Sequence, residues 1–287
     1  MRADSLPPEL VDGLDIGEVT PLSGGDIAEA YRLATTDGPL FLKTLRRPTP
    51  DLFEREAAGL RALREHAPET LGVPEVIRQS PTGLVLEWIE ESPRRSGATE
   101  AELGRSLAHL HRATRDTFGG LQDDPGGYLG SVAVDLTPHD SWPEFYLTRR
   151  LEPLVTRAIE EGRISPRARD LLEAVAPRVS DLCGPAEPPT LVHGDLWGGN
   201  RLVDTAGRNW LIDPACHYAH REIDIAMMHL FGGFGPEVYA AYDEVHPLAD
   251  GWRERIAWYQ LPPLLVHAIL FGGGYGASAL DALARYA

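Results

Sequence analysis

The chain has 287 residues, 43% hydrophobic and 24% charged, which suits one large domain or two lobes that share a cleft. Its formal net charge is −16, and a surface of that sign repels nucleic acids and anionic lipids as partners. The sequence shows no apolar run of membrane-spanning length and no signal-peptide hydrophobic region. Its two cysteines lack the spacing of a metal site or a disulfide framework. We therefore expect a cytoplasmic protein that binds neither nucleic acid nor membrane.

The first 89 residues alternate between short β-type runs and one helix. Apolar and polar residues alternate in these runs, and turn residues separate them. Strands are predicted over 16–23, 28–34, 39–45, 73–79 and 83–89. Residues 51–66 form an amphipathic pattern typical of a helix. We expect a β-rich lobe over residues 1–89, with a five-stranded sheet and one helix.

A polar stretch over 90–98 interrupts this pattern and is interpreted as a hinge or linker. Helical periodicity dominates after it. Helices are predicted over 99–114, 142–162, 165–183, 221–230, 235–245, 250–271 and 276–286. Two β-type runs, 188–194 and 208–215, interrupt the helical half. The order predicts an α+β protein whose second lobe, residues 99–287, is mainly helical, with a ligand-binding cleft between the lobes.

The segment HGDLWGGN, residues 193–200, lies between the two β-type runs. It places Asp195 and Asn200 five residues apart on one loop, and Asp213 follows at the end of the second run. Phosphoryl transfer needs a carboxylate beside the attacking hydroxyl and hard oxygen ligands for Mg²⁺. We predict that Asp195 is the catalytic carboxylate and that Asn200 and Asp213 bind magnesium. The alternative is that all three only stabilise turns.

The β-rich half contains candidates for nucleotide binding. Gly24 and Gly25 form a turn between two strands, where backbone N–H groups can cover phosphates, although such a turn is more often an ordinary hairpin. Lys43 lies in an apolar strand and needs a partner, because an unpaired buried charge is costly. Glu56 follows in the amphipathic helix. A Lys–Glu pair that directs the amine to the phosphates is the kinase arrangement.

These residues occur in the order found in kinases, with His-Gly-Asp at 193–195 and Ile-Asp-Pro at 212–214. That variant resembles the aminoglycoside phosphotransferase and choline kinase branch of the protein-kinase-like fold. Within the branch, the sequence is most similar to fructosamine kinases, also called ketosamine-3-kinases. The stretches that carry the likeness include SGGDIAEAYRL, LVLEW, GGYLGS, LVHGDLWGGN and HREIDIAMMHLFGGF. They extend from about residue 16 to the C-terminus.

The resemblance implies ATP-dependent and Mg²⁺-dependent phosphorylation of a ketosamine, a sugar attached to an amine, with ATP and Mg²⁺ as cofactors. The family is associated with deglycation, since its 3-phosphate product releases the amine. The hinge strand would contact adenine through backbone groups of Glu87 and Ile89. The sequence departs from the family at Ala28, where relatives often have asparagine beside the glycine turn, and over 132–142, which lacks the usual Gln-rich and Asn-rich sequence.

Several alternatives remain open at this level. Trp197 could stack on the apolar face of a sugar or anchor the loop by packing. His193 and Asp224 are interpreted as supports of the catalytic loop rather than as reacting groups. The protein could instead be another small-molecule kinase of the same fold, acting on an aminoglycoside or choline, or a non-catalytic nucleotide-binding protein. The presence of every predicted catalytic residue argues against the last of these.

Overall fold

The computed structural model describes residues 6–22, 28–92, 95–121 and 125–287. Its N-terminal part is a five-stranded sheet with the strand order β1-β2-β3-β6-β5, in which every neighbouring pair is antiparallel. The strands are β1 (Ile16–Leu22), β2 (Glu29–Thr35), β3 (Gly38–Thr44), β5 (Val76–Ser80) and β6 (Gly83–Glu87). The five predicted strands therefore form a single sheet.

The alternation of side chains along β3 separates the two faces of this sheet. Leu42 is buried on one face, in a cluster with residues of the short helix α1 (Pro8–Val11). Phe41 packs on the other face, in the cluster that contains the apolar side of helix α2 (Leu52–His66). Because side chains two residues apart share a face, Lys43 lies on the same side as α2. This places it opposite the helix that carries Glu56.

Helices dominate from residue 97 onward. They are α3 (Gly97–Leu110), α4 (Trp142–Phe145), α5 (Glu152–Glu160), α6 (Arg167–Val175), α7 (Val179–Leu182), α8 (Glu222–Phe231), α9 (Pro236–Val245), α10 (Trp252–Tyr259), α11 (Leu261–Phe271) and α12 (Tyr275–Ala284). Helices α3 and α9 pack very closely, since a Cβ on Gly104 would lie 2.1 Å from the carbonyl oxygen of Val238. Within the ranges given above, no helix is both long and apolar enough to cross a membrane.

Short strands in the helical part bring two loops together. Strand β9 (Thr190–Val192) pairs with β12 (His217–Ala219), and β10 (Arg201–Val203) pairs with β11 (Asn209–Leu211). The two-residue strand β4 (Leu71–Gly72) extends the second pair by running parallel to β11. The loop between β9 and β10 therefore lies beside the loop between β11 and β12. These two loops carry the predicted catalytic and metal-binding side chains.

Three of the predicted helices are interrupted in the structure. The run 142–162 contains a π-helical turn, Tyr146–Leu151, between α4 and α5. The run 250–271 is two helices that meet at Gln260, because the prolines at the start of α11 lack the N–H groups that a continuous helix would need.

Residues 165–183 also form two helices, α6 and α7, which are separated by a 3₁₀ turn at Ala176–Arg178. A hairpin of β7 (Gly126–Leu129) and β8 (Val132–Asp135) lies where no strand was expected. Its turn is built on Gly130, whose φ of 59° lies in the left-handed region.

Candidate active site

A cavity of about 1330 Å³ lies between the five-stranded sheet and the helical half of the molecule. It contains the predicted residues of both halves that the structure describes. These lining residues are Lys43, Glu56, Glu87, Ile89, Asp195, Trp197, Asn200 and Asp213. Gly24 and Gly25, the predicted phosphate-covering glycines, lie outside the described residues. The fold thus gathers side chains that are up to 170 positions apart in the sequence.

Lys43 connects the two halves of the cavity. Its Nζ lies 2.6 Å from Oε1 of Glu56 in α2 and 3.0 Å from Oδ1 of Asp213 in the helical half. Burial disfavours the charged amine, but the two carboxylates outweigh that effect and raise the pKa of Lys43. Burial also raises the pKa of Glu56, and the short contact with the ammonium opposes it, so we assign the pair as ionised. The lysine is thereby a fixed positive charge in a negatively charged protein.

Asn200 and Asp213 form the part of the site that could hold a divalent ion. The Nδ2 group of Asn200 donates to Oδ2 and to the backbone oxygen of Asp195, both at 2.9 Å. Since the N–H groups are committed in this way, the amide oxygen is the atom of Asn200 suited to a cation. The side chain of Asp213 is 45% exposed, and its backbone has a φ of 53°, an uncommon conformation for a residue other than glycine.

This donor set fits magnesium rather than a metal that needs a full protein cage. Over the described part of the chain, no group of three or more His, Cys, Asp or Glu side chains is arranged to hold a metal. Mg²⁺ is usually bound by one or two protein oxygens together with phosphate oxygens and water. One amide oxygen and one carboxylate, beside the lysine that would meet the phosphates, satisfy that requirement.

Asp195 lines the cavity and is partly buried. Burial raises the pKa of its carboxyl to about 7, and the nearby charges of Asp213 and Asp224 act in the same direction. The hydrogen bond from Asn200 opposes this shift. A carboxylate whose pKa lies close to neutrality is suited to accept a proton and release it again.

Asp224, at the start of α8, supports the loop that carries Asp195. Its two carboxylate oxygens accept the backbone N–H groups of His193 and Gly194, at 2.7 and 2.8 Å. A third hydrogen bond, of 3.2 Å, joins it to Nε2 of His111, whose Nδ1 is bonded to the hydroxyl of Tyr242. These bonds help to lower the pKa of Asp224 despite its complete burial. This agrees with its predicted supporting role.

His193 links the two loops of the site. Its Nε2 lies 2.9 Å from the backbone oxygen of Ile212, and its Nδ1 accepts the N–H of Asp195 at 3.3 Å. Burial lowers the pKa of the ring, which favours the neutral form that this pattern requires. The next residue, Gly194, has a φ of 81° and approaches Ala215 so closely that a Cβ would lie 2.2 Å from its carbonyl oxygen. His193 therefore holds the loop, as predicted.

The side chain of Trp197 is partly exposed at the cavity, and its ring also packs against other residues of the protein. Its side chain remains 38% exposed, and its ring meets Phe231 edge-on with the centroids 6.1 Å apart. The ring lies over Gly199, where a Cβ would come within 2.3 Å of the indole. The structure thus supports the packing interpretation and also leaves part of the indole exposed to a ligand.

Glu87, the last residue of β6 and a predicted adenine contact, lines the cavity. The N–H of Glu87 donates to the backbone oxygen of Glu75 at 3.0 Å, so a nucleotide base would have to use the carbonyl of Glu87 rather than its N–H. Ile89, two residues further on, lines the same cavity.

Sequence reasoning did not identify His111 as part of the site. It lies at the C-terminal end of α3 within an ordinary amphipathic pattern, and its role depends on contacts with residues more than 100 positions away. The only local signal is a histidine on the otherwise apolar face of a helix.

A Lys–Glu pair between a sheet and its helix, facing an Asp–Asn–Asp set in a helical half, defines a phosphotransferase of the kinase type. A family model described as fructosamine kinase matches residues 3–287. The chain belongs to the fructosamine kinase family.

Relatives with curated names support this family assignment. The chain is 35% identical to a candidate ketoamine kinase of Enterococcus faecium over 273 residues, which covers 94% of this chain and 95% of that protein. It is also 35% identical to the chloroplastic protein-ribulosamine 3-kinase of Oryza sativa subsp. indica, with 93% of this chain and 78% of that protein covered.

Solved structures show the same fold. A candidate fructosamine-3-kinase of Thermobifida fusca superposes with a TM-score of 0.87 at 38% identity, with 97% of this chain and 96% of that chain covered. An aminoglycoside phosphotransferase, solved in a ternary complex with ADP and hygromycin B, superposes with a TM-score of 0.63 at 15% identity, with 94% of each chain covered. The second likeness concerns the fold alone. The predicted α+β class and the protein-kinase-like fold are confirmed.

Proposed function

We propose that this protein is an ATP- and Mg²⁺-dependent kinase that phosphorylates a hydroxyl group of a ketosamine. The observation that carries the proposal is the convergence of Lys43, Asp195, Asn200 and Asp213 around one cavity, in a chain that belongs to the fructosamine kinase family. The relatives named above as ketoamine and ribulosamine kinases support a sugar-amine acceptor.

Residues 1–89 would bind the nucleotide, with 90–98 as the hinge. Lys43, oriented by Glu56, would bind the phosphates, and the glycine turn at Gly24 and Gly25 would cover them. Adenine would be held by the carbonyl of Glu87 and the backbone N–H of Ile89. Asn200 and Asp213 would hold Mg²⁺, which neutralises charge on the phosphates when it is bound.

Residues 99–287 would supply the acceptor site and the catalytic base. Asp195 would accept the proton of the acceptor hydroxyl as its oxygen attacks the γ-phosphorus. A new P–O bond forms to that oxygen, the bond to the β-phosphate oxygen breaks, and ADP leaves. The exposed part of Trp197 would contact the sugar.

The test is ADP release with a panel of acceptors. Fructose-, ribulose- and erythrulose-amines would be compared with choline and aminoglycosides, and the Asp195→Asn variant would correct for contaminating kinases. We expect turnover with one or more of the sugar-amines. Turnover confined to choline or aminoglycosides would assign the protein to another acceptor class, and Mg-ATP binding without any turnover would indicate a non-catalytic protein.

A further inference from the structure

Arg150 is a buried cation in the wall of the cavity, outside the set of residues described so far. It belongs to the π-helical turn between α4 and α5 and is only 3% exposed. It lines the cavity together with Gly194, Asp195 and His217. Single π-helical turns inside α-helices occur frequently at functional sites.

One terminal nitrogen of the Arg150 guanidinium is bonded to the backbone. Its Nη1 donates to the backbone oxygens of Asp135, at 2.7 Å, and of Arg149, at 3.2 Å. The group also lies over the ring of Phe145, with its Cζ 4.8 Å from the ring centroid. The other terminal nitrogen, Nη2, is buried and has no hydrogen-bond partner among the described residues.

Asp135 is the carboxylate whose charge acts most strongly on Arg150, but it does not supply that partner. One oxygen of Asp135 accepts the hydroxyl of Thr137 at 2.6 Å and its backbone N–H at 2.8 Å. The other oxygen lies 3.2 Å from Nη1 of Arg149. His217, which also feels the charge of Arg150, bonds through Nδ1 to the backbone oxygen of Ala215. Among the described residues, Arg150 therefore has no direct ion pair.

No other described residue of the cavity wall has a buried side-chain donor without a hydrogen-bond partner. Among the buried polar atoms of the described chain that lack a hydrogen bond, those of Glu56 and Arg150 are the ones whose residues line the cavity. Oε1 of Glu56 is paired with Lys43 at 2.6 Å. The Nη2 group of Arg150 is thus a donor in the cavity wall for which the described residues provide no partner. A buried donor left unpaired costs free energy, which a ligand oxygen would recover.

The surroundings of Arg150 define the chemistry of such a ligand. The helical part of the same cavity wall includes apolar and aromatic side chains, among them Trp142, Met227, Tyr259 and Val266. Burial lowers the pKa of Arg150 to about 10, so it stays protonated at neutral pH. A guanidinium has N–H donors and no acceptor. Its partner must therefore be an oxygen that accepts a hydrogen bond.

We propose that Arg150 is a specificity-determining residue of the acceptor site, whose guanidinium donates a hydrogen bond to an oxygen atom of the acceptor. The inference rests on the proposed function. The oxygen has two possible sources in a ketosamine, which are a sugar hydroxyl and a carboxylate on the substituent of the amine.

The experiment uses two acceptors that share the sugar and differ in the carboxylate, namely 1-deoxy-1-morpholinofructose and fructosylglycine. The variants are Arg150→Lys, Arg150→Gln and the control Arg149→Gln, which removes a neighbouring charge from the same turn. The full-length proteins are compared in acceptor KM, ATP KM and kcat, in equilibrium binding of each acceptor without ATP, and in melting temperature.

We expect the Arg150 variants to raise the acceptor KM about 10- to 100-fold, the size typical of a hydrogen bond to a charged group, with the ATP KM unchanged. A rise with both acceptors identifies a sugar hydroxyl, and a rise confined to fructosylglycine identifies the carboxylate. The Arg149→Gln control should leave both KM values within about 2-fold of the wild type.

The inference would be overturned if folded Arg150→Lys kept KM and binding constants close to wild type for both acceptors. Arg150 would then have a purely structural role. That variant keeps the charge and the aliphatic stem, so it decides the question if Arg150→Gln does not fold. The proposed function fails separately, and the inference with it, if the wild-type protein turns over neither these acceptors nor any other sugar-amine.

Discussion

Two carboxylates meet at the same short loop, and their environments are opposite: Asp195 belongs to the loop and is partly buried, whereas Asp224 supports it and is fully buried. Asp195 receives a side-chain hydrogen bond from Asn200 and faces two other carboxylates, and burial raises its pKa to about 7. Asp224 accepts two backbone N–H groups and contacts His111, and its pKa is lowered. The same chemical group is thus made basic in one place and firmly anionic in the other.

The difference shows how the roles are divided. When two carboxyl groups of one site have pKa values pushed apart, the one with the raised pKa can exchange protons and the other serves as a fixed charge. Asp224 uses its charge to hold the backbone of His193 and Gly194, which sets the position of Asp195. The free-energy cost of a poorly solvated carboxylate falls on Asp195, the residue that the proposed function requires to accept a proton.

The largest expected effect tests the reactive carboxylate. Replacing Asp195 by Asn removes the proton acceptor with little change in shape, and we expect kcat to fall by about 10³- to 10⁴-fold. Nucleotide affinity, measured by titration with Mg-ADP, should stay within a few-fold of wild type because Lys43 and Glu56 are untouched. A variant with an unchanged rate would show that Asp195 is not the base.

The second effect tests the supporting carboxylate. Asp224→Asn keeps the shape but turns an N–H₂ group toward a backbone N–H that now has no acceptor, and it leaves the bond to His111 without a charge. We expect the free energy of unfolding to fall by about 3 kcal/mol, measured by urea denaturation at pH 7.5. The control is Asp281→Asn at an exposed position of α12, which should change stability by less than about 0.5 kcal/mol. Equal effects of the two substitutions would argue against the supporting role.

The smallest expected effect is an increase in stability rather than a decrease. It tests the contrast between Asp195 and Asp224 most directly. Because folding raises the pKa of Asp195 from 3.8 to about 7, its ionisation opposes folding at neutral pH. We expect Asp195→Asn to increase the free energy of unfolding by about 1 to 3 kcal/mol at pH 7.5 with EDTA present. Below pH 7 the native wild-type protein holds a proton that the unfolded chain releases, so this advantage should shrink and be lost near pH 4. A pH-independent difference would contradict the raised pKa.

Much of the site could be predicted from the sequence because its chemistry is local. Asp195 and Asn200 share one loop between two β-type runs, and the apolar neighbours of Lys43 already require a partner for its charge. The alternation of β3 and the helical period of α2 then direct Lys43 and Glu56 toward each other, as the contact of 2.6 Å shows.

Other parts could not be predicted because their signals are not local. The β7–β8 hairpin lies in a glycine-rich segment without a clear apolar alternation. The π-helical turn that carries Arg150 has the sequence of an ordinary amphipathic helix. The bond between His111 and Asp224 joins residues 113 positions apart, and nothing near either residue indicates the other.

Short-range patterns by themselves determined most of the longer strands and helices and the candidate reactive side chains, because periodicity and loop spacing act over a few residues. Tertiary structure alone decided which of the two carboxylates became more basic, where the loop was supported and which donor in the cavity wall has no partner among the described residues. Those properties depend on desolvation and on partners contributed by distant parts of the chain, and both arise only when the two halves pack together.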